Sequence, residues 1–323
     1  MSPTETRPTL DDIRAAHRRI EPHIHRTPVL TCRSIDEMTG AALRFKCDNF
    51  QKAGAFKFRG ATNAVFSLTD DQAARGVVTH SSGNHAGALS LAGRLRGIQV
   101  RVVMPRGAPQ IKQDAVRSYG GEITLCEPTL EARESTAKAI IEQTGAVMIH
   151  PYDDYRIIAG QGTAALELLE DEPELDAILT PVGGGGLLSG TLIAAKAIKP
   201  SIRVIAVEPA RVDDAYRSLQ AGRIVENDQT DTIADGLKTN LGEKTFPIIS
   251  ELVDDIILVE EEEIIHALHT ILSRMKVVIE PSSAVPLAAL LSGRLKLPGL
   301  RVGIHLGGGN IDLDKLPAST VVA

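Results

Sequence analysis

The sequence predicts an α/β fold whose strands run mostly parallel, and three observations predict it. Short apolar segments alternate with helix-length amphipathic ones along most of the chain, which is the order that strand–helix–strand units require. Most of the apolar segments are continuous rather than alternating, as expected of strands covered on both faces. The chain has 323 residues, 43% of them hydrophobic, enough for about two domains of ordinary size.

The elements follow in order. Thr9 and Asp12 resemble a capping box that opens a helix carrying Ile13, Ala16 and Ile20. Pro22 and Pro28 then break the chain into loop. Strands are predicted at 43–47, 76–79, 100–104, 122–125, 147–149, 177–181, 203–207, 255–259 and 301–306. Helices fall between them, among others at 86–95, 131–143, 162–170 and 262–275. The four glutamates at 260–263 read as the exposed, acid-rich first turn of a helix, favoured by the helix dipole. There is no repeat, low-complexity tract or flexible linker, so a second domain is expected to be inserted within the first.

Composition excludes several functions. With 35 Lys+Arg against 41 Asp+Glu the net charge is −6, unlike that of a generally basic nucleic-acid binder. Trp is absent and aromatics are 3%, which leaves no platform for base stacking. The three cysteines are widely spaced and form neither a disulfide framework nor a zinc pattern. The N-terminal segment has no signal-peptide core, and no run approaches the ~18 apolar residues of a membrane span. A soluble, cytoplasmic protein is expected, with no nucleic-acid or membrane partner.

Four segments end a strand with small or polar residues and then start a helix, the place where open α/β sheets bind ligands. In the first, Gly183, Gly184, Gly185 and Gly186 follow an apolar run. Successive N–H groups there, at a helix start, make an anion site suited to phosphate. In the second, Ser81, Ser82, Asn84 and His85 cluster at a helix start. They suit a carboxylate or an aromatic hydroxyl, and alone would equally be an ordinary cap. In the third, Lys57 stands between Phe56 and Phe58. Burial lowers a lysine's pKa, and a neutral amine can attack a carbonyl; alone, a surface lysine reads as well. The fourth, Gly307 to Asn310, is a second close backbone approach. Together a phosphate cradle, an amine and a polar cap suggest pyridoxal phosphate.

From residue 13 to 312 the chain resembles the pyridoxal-phosphate β-family (fold type II, tryptophan synthase β-like). Within it, the similarity is to the branch of serine racemases and catabolic serine/threonine dehydratases. The motifs are Lys52 to Gly60, Ser81 to His85, His150 to Asp154, Ala159 to Thr163, Pro181 to Gly186, Glu280-Pro281 and Gly308 to Asn310. The resemblance implies two open twisted, mostly parallel sheets with flanking helices. It implies a discontinuous cofactor domain of residues 1–79 and 148–323, a small inserted domain of 80–147, and a homodimer.

It also implies roles. Lys57 would form the Schiff base, Phe56 would pack on the ring, and Asn84 would bond the ring hydroxyl. Gly183, Gly184, Gly185, Gly186 and Leu187 would hold the phosphate. Ser81, Ser82, Asn84 and His85 would receive the substrate carboxylate, and Arg133 a second carboxylate. Glu208, Asp214 and the carbonyl of Val212 would ligate Mg²⁺, or Ca²⁺ or Mn²⁺. Gly307 departs from the family, which has Ser or Cys facing the pyridine nitrogen. Ala53 stands where the family usually has Thr, and Arg33 lies in a segment that forms part of the ATP site of mammalian racemases, so ATP activation is not expected.

The activity implied is dehydration of a 3-hydroxyamino acid, of 3-hydroxyaspartate, serine or threonine type, to a 2-oxo acid and ammonia. Lys57 would be the general base. Racemisation through Lys57 and Ser82 on opposite faces is the alternative. A binding or sensing protein that kept the fold without activity is a third reading.

Overall fold

The structure, a computed structural model, describes residues 6–318. Among the described residues, ten strands form two sheets. The larger has the order β1-β2-β10-β7-β8-β9 and the smaller β5-β4-β3-β6. The larger uses β1 (Val29–Leu30), β2 (Ala42–Cys47), β7 (Ala177–Pro181), β8 (Arg203–Pro209), β9 (Asp255–Val259) and β10 (Arg301–Leu306). The smaller uses β3 (Val77–His80), β4 (Val100–Pro105), β5 (Glu122–Cys126) and β6 (Val147–Met148). Every pairing is parallel except β1 on β2. The expected strands are all present, with ends displaced by at most two residues. The strand not expected is β1, whose two residues behind Pro28 are too few to show a pattern.

The smaller sheet starts at Val77 and ends at Met148. Strand β3 therefore lies ahead of residue 80, and β6 straddles residue 147, the limits expected for the small domain. One apolar cluster under this sheet also takes in Phe58, Ala61, Val65 and Ile157 from outside those limits.

The capping box of the first helix, Leu10–Ile20, is formed by Thr9 and Asp12. The acid-rich helix is Glu261–Met275, with Glu260 as its cap. Here the expectation of an exposed first turn is corrected at one position. Glu261 is buried and accepts a hydrogen bond from the Ile233 N–H at 2.8 Å. The helix expected at 162–170 begins seven residues earlier, as Tyr155–Asp171. Its second turn holds Ala159, Gly160 and Gly162, small residues that read as loop, yet they are buried because other backbones press on the glycines. A Cβ at Gly160 would lie 2.6 Å from Gly60 Cα, and one at Gly190 would lie 2.5 Å from the Gly162 nitrogen. These close approaches bind the helices Lys57–Phe66, Tyr155–Asp171 and Gly186–Ile198 into one block, and that block fixes the lysine relative to the glycine loop.

Beneath the block lies a buried charge network. Arg59 pairs with Asp48 at 2.8 Å and with Glu167 at 2.7 Å. Lys46 reaches Glu167 at 2.6 Å, and His305 Nε2 lies 3.1 Å from Asp48. Every lone pair and N–H direction used here has a partner, which is the condition for burying charge without a large penalty.

Candidate active site

The segments that carry chemistry meet at one cavity of about 560 Å³, within the range of small-molecule sites. Phe56, Lys57, Ser81 to His85, Gly183 to Leu187, Arg133 and Gly307 all line it. Sequence-distant residues are thus brought together; Glu208, Val212 and Asp214 are not part of this wall.

Lys57 opens the helix Lys57–Phe66. The turn before it is forced: Ala53 has φ +57 and Gly54 φ +70. It is zipped to the 307–310 segment by Phe56 N–H donating to Gly307 O at 2.8 Å and Gly309 N–H to Gly54 O at 2.9 Å. Asn310 Nδ2 adds a bond to Ala53 O at 2.8 Å. The Lys57 amine donates to Pro151 O at 2.9 Å and sits 5.1 Å from the Phe56 ring centroid. Burial pushes its pKa down to about 8, against the opposing charge of Glu280. The amine is therefore primed to react as a nucleophile.

The glycine loop runs from β7 into the helix Gly186–Ile198, whose first turn has no side-chain cap. Its leading N–H groups have no intrahelical acceptor and open on the cavity. Each glycine is demanded by a neighbour. A Cβ at Gly183 would lie 2.8 Å from Leu237 Cα, one at Gly184 would enter the Tyr152 ring, and Gly185 has φ +87. The cradle and the amine fit pyridoxal phosphate, which needs both.

At 81–85 the cap of the helix Asn84–Arg96 is Gly83, with no side-chain hydrogen bond. Neither Ser81 nor Asn84 is therefore the cap: Ser81 gives its N–H to Val103 O at 3.2 Å and accepts the Gly83 N–H at 3.4 Å, and the N–H groups of Ser82, Asn84 and His85 are left without an acceptor among the described residues, on segments that line the cavity. Ser82 forms no side-chain hydrogen bond among the described residues. Asn84 is committed at both ends: its Nδ2 donates to Glu280 at 2.9 and 3.0 Å, and its Oδ1 accepts from Asn310 at 3.0 Å. His85 is buried with Nε2 3.4 Å from Ile149 O, and burial holds its pKa well below the ordinary value. Its imidazole is thus turned toward the core, and its backbone N–H is what it offers a carboxylate.

Arg133 projects from the second turn of the helix Leu130–Thr144 and lines the cavity. Its Nε donates to Thr129 O at 3.3 Å, and it forms no ion pair among the described residues. A guanidinium facing a cavity without a carboxylate suits an anionic ligand.

Sequence reasoning missed several wall residues. Glu280 is buried, and burial raises its carboxyl to about 7. Tyr152 packs its ring on the glycine loop, and burial raises its phenol to about 12. His80 and His150 stand edge to face with centroids 5.4 Å apart. Lys112 and Asp235 form an ion pair of 2.5 Å at the wall. The Glu280-Pro281 and His150 to Asp154 segments had been noticed, but only as motifs.

Apart from the cavity, Glu208 and Asp214 are both buried. Glu208 accepts from the Ala215 and Tyr216 N–H groups, and Asp214 from Asn227 and the Leu241 N–H. Neither forms an ion pair among the described residues. Burial raises both carboxyls, Glu208 further through the charge of Asp214. Two buried carboxylates without a counter-charge fit a cation. No cluster of three or more His, Cys, Asp or Glu side chains occurs among the described residues, so water and a carbonyl would complete its shell.

Comparison with known proteins agrees with the geometry. A family model described as pyridoxal-phosphate dependent enzyme matches residues 20–308. The β-hydroxyaspartate dehydratase of Paracoccus denitrificans is 53% identical over 310 residues, covering 96% of this chain and 98% of the relative. The serine racemase of Arabidopsis thaliana is 54% identical over 309 residues, covering 94% and 93%. The crystal structure of serine racemase from Dictyostelium discoideum superimposes with a TM-score of 0.91 at 54% identity, covering 94% of this chain and 99% of that one.

Proposed function

The chain belongs to the pyridoxal-phosphate dependent enzymes, and from that premise we propose that it is a lyase eliminating water from 3-hydroxyaspartate. The carrying observation is Arg133, a guanidinium without a carboxylate partner among the described residues, on the same cavity wall as Lys57. A dicarboxylic substrate supplies the missing partner; serine and threonine do not.

Lys57 and the Gly183–Leu187 N–H groups would hold the cofactor, with Phe56 against its ring. When bound, pyridoxal phosphate supplies an electron sink for the charge left at the substrate Cα. The chain's residues do the rest. The N–H groups of Ser82, Asn84 and His85 orient the substrate's α-carboxylate, and Arg133 takes the distal one in a fork geometry. Lys57, with its lowered pKa, removes the Cα proton and then carries it on Nζ. The β-hydroxyl leaves as water with the proton that Lys57 Nζ has taken, which gives an enamine and returns the amine to its neutral form; the imine tautomer of the enamine hydrolyses to oxaloacetate and ammonia, so the water lost is regained.

The discriminating experiment is a proton NMR time course in heavy water, with serine, threonine, and threo and erythro 3-hydroxyaspartate offered separately. Conversion of a hydroxyaspartate to its 2-oxo acid is the expected result. Arg133→Ala should raise KM for hydroxyaspartate roughly 10- to 100-fold, the worth of a charge-assisted hydrogen bond, and leave that for serine near its starting value. Equal effects on both would refute the assignment of Arg133.

Racemisation has one observation in its favour. Ser82, with no hydrogen bond of its own among the described residues, lines the same cavity as Lys57. Deuterium entering Cα without elimination would make it the main activity. Glu208, Asp214 and the Val212 carbonyl would hold Mg²⁺ as a structural ion.

A further inference from the structure

Pyridoxal phosphate presents four polar positions to a protein. The phosphate arm and the ring hydroxyl flank the carbon that carries the aldehyde, and the ring nitrogen lies directly across from that carbon. Lys57 accounts for the aldehyde and the glycine loop for the phosphate. The nitrogen must face a different part of the wall. By the family resemblance it faces position 307, where this chain has glycine and therefore no side-chain donor.

The structure shows what stands behind that gap. A Cβ at Gly307 would lie 3.1 Å from Phe56 Cδ1 and 4.0 Å from Ser283 Oγ. Ser283 is 1% exposed, lines the cavity and belongs to the helix Pro281–Leu291. Its hydroxyl accepts from the Gly308 N–H and donates to Gly308 O, both at 2.8 Å. The donated proton can be redirected without orphaning its present acceptor, because Gly308 O also receives the Glu280 N–H at 3.0 Å. Of the two acids on this wall, Glu280 is occupied by the Asn84 amide and Asp235 by Lys112.

We propose that the Ser283 hydroxyl is the hydrogen-bond partner of the cofactor's ring nitrogen, supplied from a neighbouring helix in place of the side chain that Gly307 lacks. A neutral hydroxyl shares its proton rather than surrendering it, so the nitrogen stays unprotonated.

The proposal goes beyond the reaction assigned above. It rests only on cofactor binding, which the visible absorbance of the reconstituted protein reports separately. The test is the nitrogen-15 chemical shift of ring-labelled pyridoxal phosphate in the holoprotein. The expected signal is that of a hydrogen-bonded, unprotonated pyridine. Ser283→Ala should move it to the bare-pyridine position, and adding Gly307→Ser to that variant should move it back. Gly307→Ser alone should leave it nearly unchanged, because the nitrogen already has a donor. A bare-pyridine or pyridinium signal in the unmodified holoprotein overturns the proposal, and so does a Ser283→Ala signal that does not move. Should Ser283→Ala fail to fold, the unmodified protein and Gly307→Ser decide: a large shift in the latter means that the nitrogen had no partner.

Discussion

Lys57 shows how much one residue's surroundings decide. A lysine ordinarily titrates at 10.5; here desolvation lowers it to about 8, with Glu280 pulling the other way. Only the neutral amine adds to an aldehyde, so capture of pyridoxal phosphate by the apoprotein should accelerate as pH rises and reach half its plateau near pH 8. Stopped-flow absorbance over pH 6 to 10 would follow this, and a rate still climbing tenfold per unit above pH 9 would contradict it. Glu280→Gln removes the opposing charge and should move the midpoint lower. At this scale the sequence was legible wherever chemistry and backbone shape lie in one short string. Lys57 between two phenylalanines and four glycines after a strand are such strings. Glu280, Tyr152, His80 and Ser283 were not legible, because each becomes a wall residue only when a distant segment folds against it.

The helix Lys57–Phe66 is held by more than its own hydrogen bonds. Arg59, two residues after the reactive lysine, is fully buried between Asp48 and Glu167. Desolvation raises Asp48 and Glu167, yet both titrate below their ordinary values, because the charges and hydrogen bonds of Arg59, with His305 at Asp48 and Lys46 at Glu167, together outweigh it. Replacing Arg59 with Met roughly keeps the volume and leaves Asp48 with His305 and Glu167 with Lys46 as their remaining charged partners. Removing one partner of a buried pair costs about 3–5 kcal/mol, and two acids share this one. Arg59→Met should therefore show a markedly lower urea midpoint, with cofactor capture impaired in whatever remains folded. A midpoint close to that of the unaltered protein would mean that water reaches the network. Element positions were largely legible, since strands buried on both faces are continuous apolar runs. Their ends were not, as the helix Tyr155–Asp171 illustrates: Gly160 and Gly162 in its second turn are small because other backbones cross them, and glycines read as loop.

Across the whole molecule, the buried carboxylates of Glu208 and Asp214 and the cavity are linked by one segment. Asp214, just after β8, accepts from Asn227 and from the Leu241 N–H. Between those two contacts run Asn227, Thr230 and residues 235–240, which line the cavity. The carboxylates thus tether a stretch of cavity wall to the larger sheet, and a cation bound by Glu208 and Asp214 would stabilise that tether. This linkage has no signature in sequence, where two acids six positions apart look like a solvated loop; nor does the division between the sheets, since no linker marks it. Binding to the native state alone stabilises by mass action, about 2.7 kcal/mol when free metal exceeds Kd a hundredfold. For a chain of 323 residues that is roughly 4 °C in Tm. Chelation should lower Tm by about this amount and raise the KM for substrate, because the loosened segment is part of the cavity. Mg²⁺ should restore both, and Asp214→Asn should abolish the response to either reagent. If calorimetry shows the same Tm with chelator and with Mg²⁺, Glu208 serves only the N–H groups of Ala215 and Tyr216, Asp214 only Asn227 and the Leu241 N–H, and the wall segment is held by its hydrogen bonds alone.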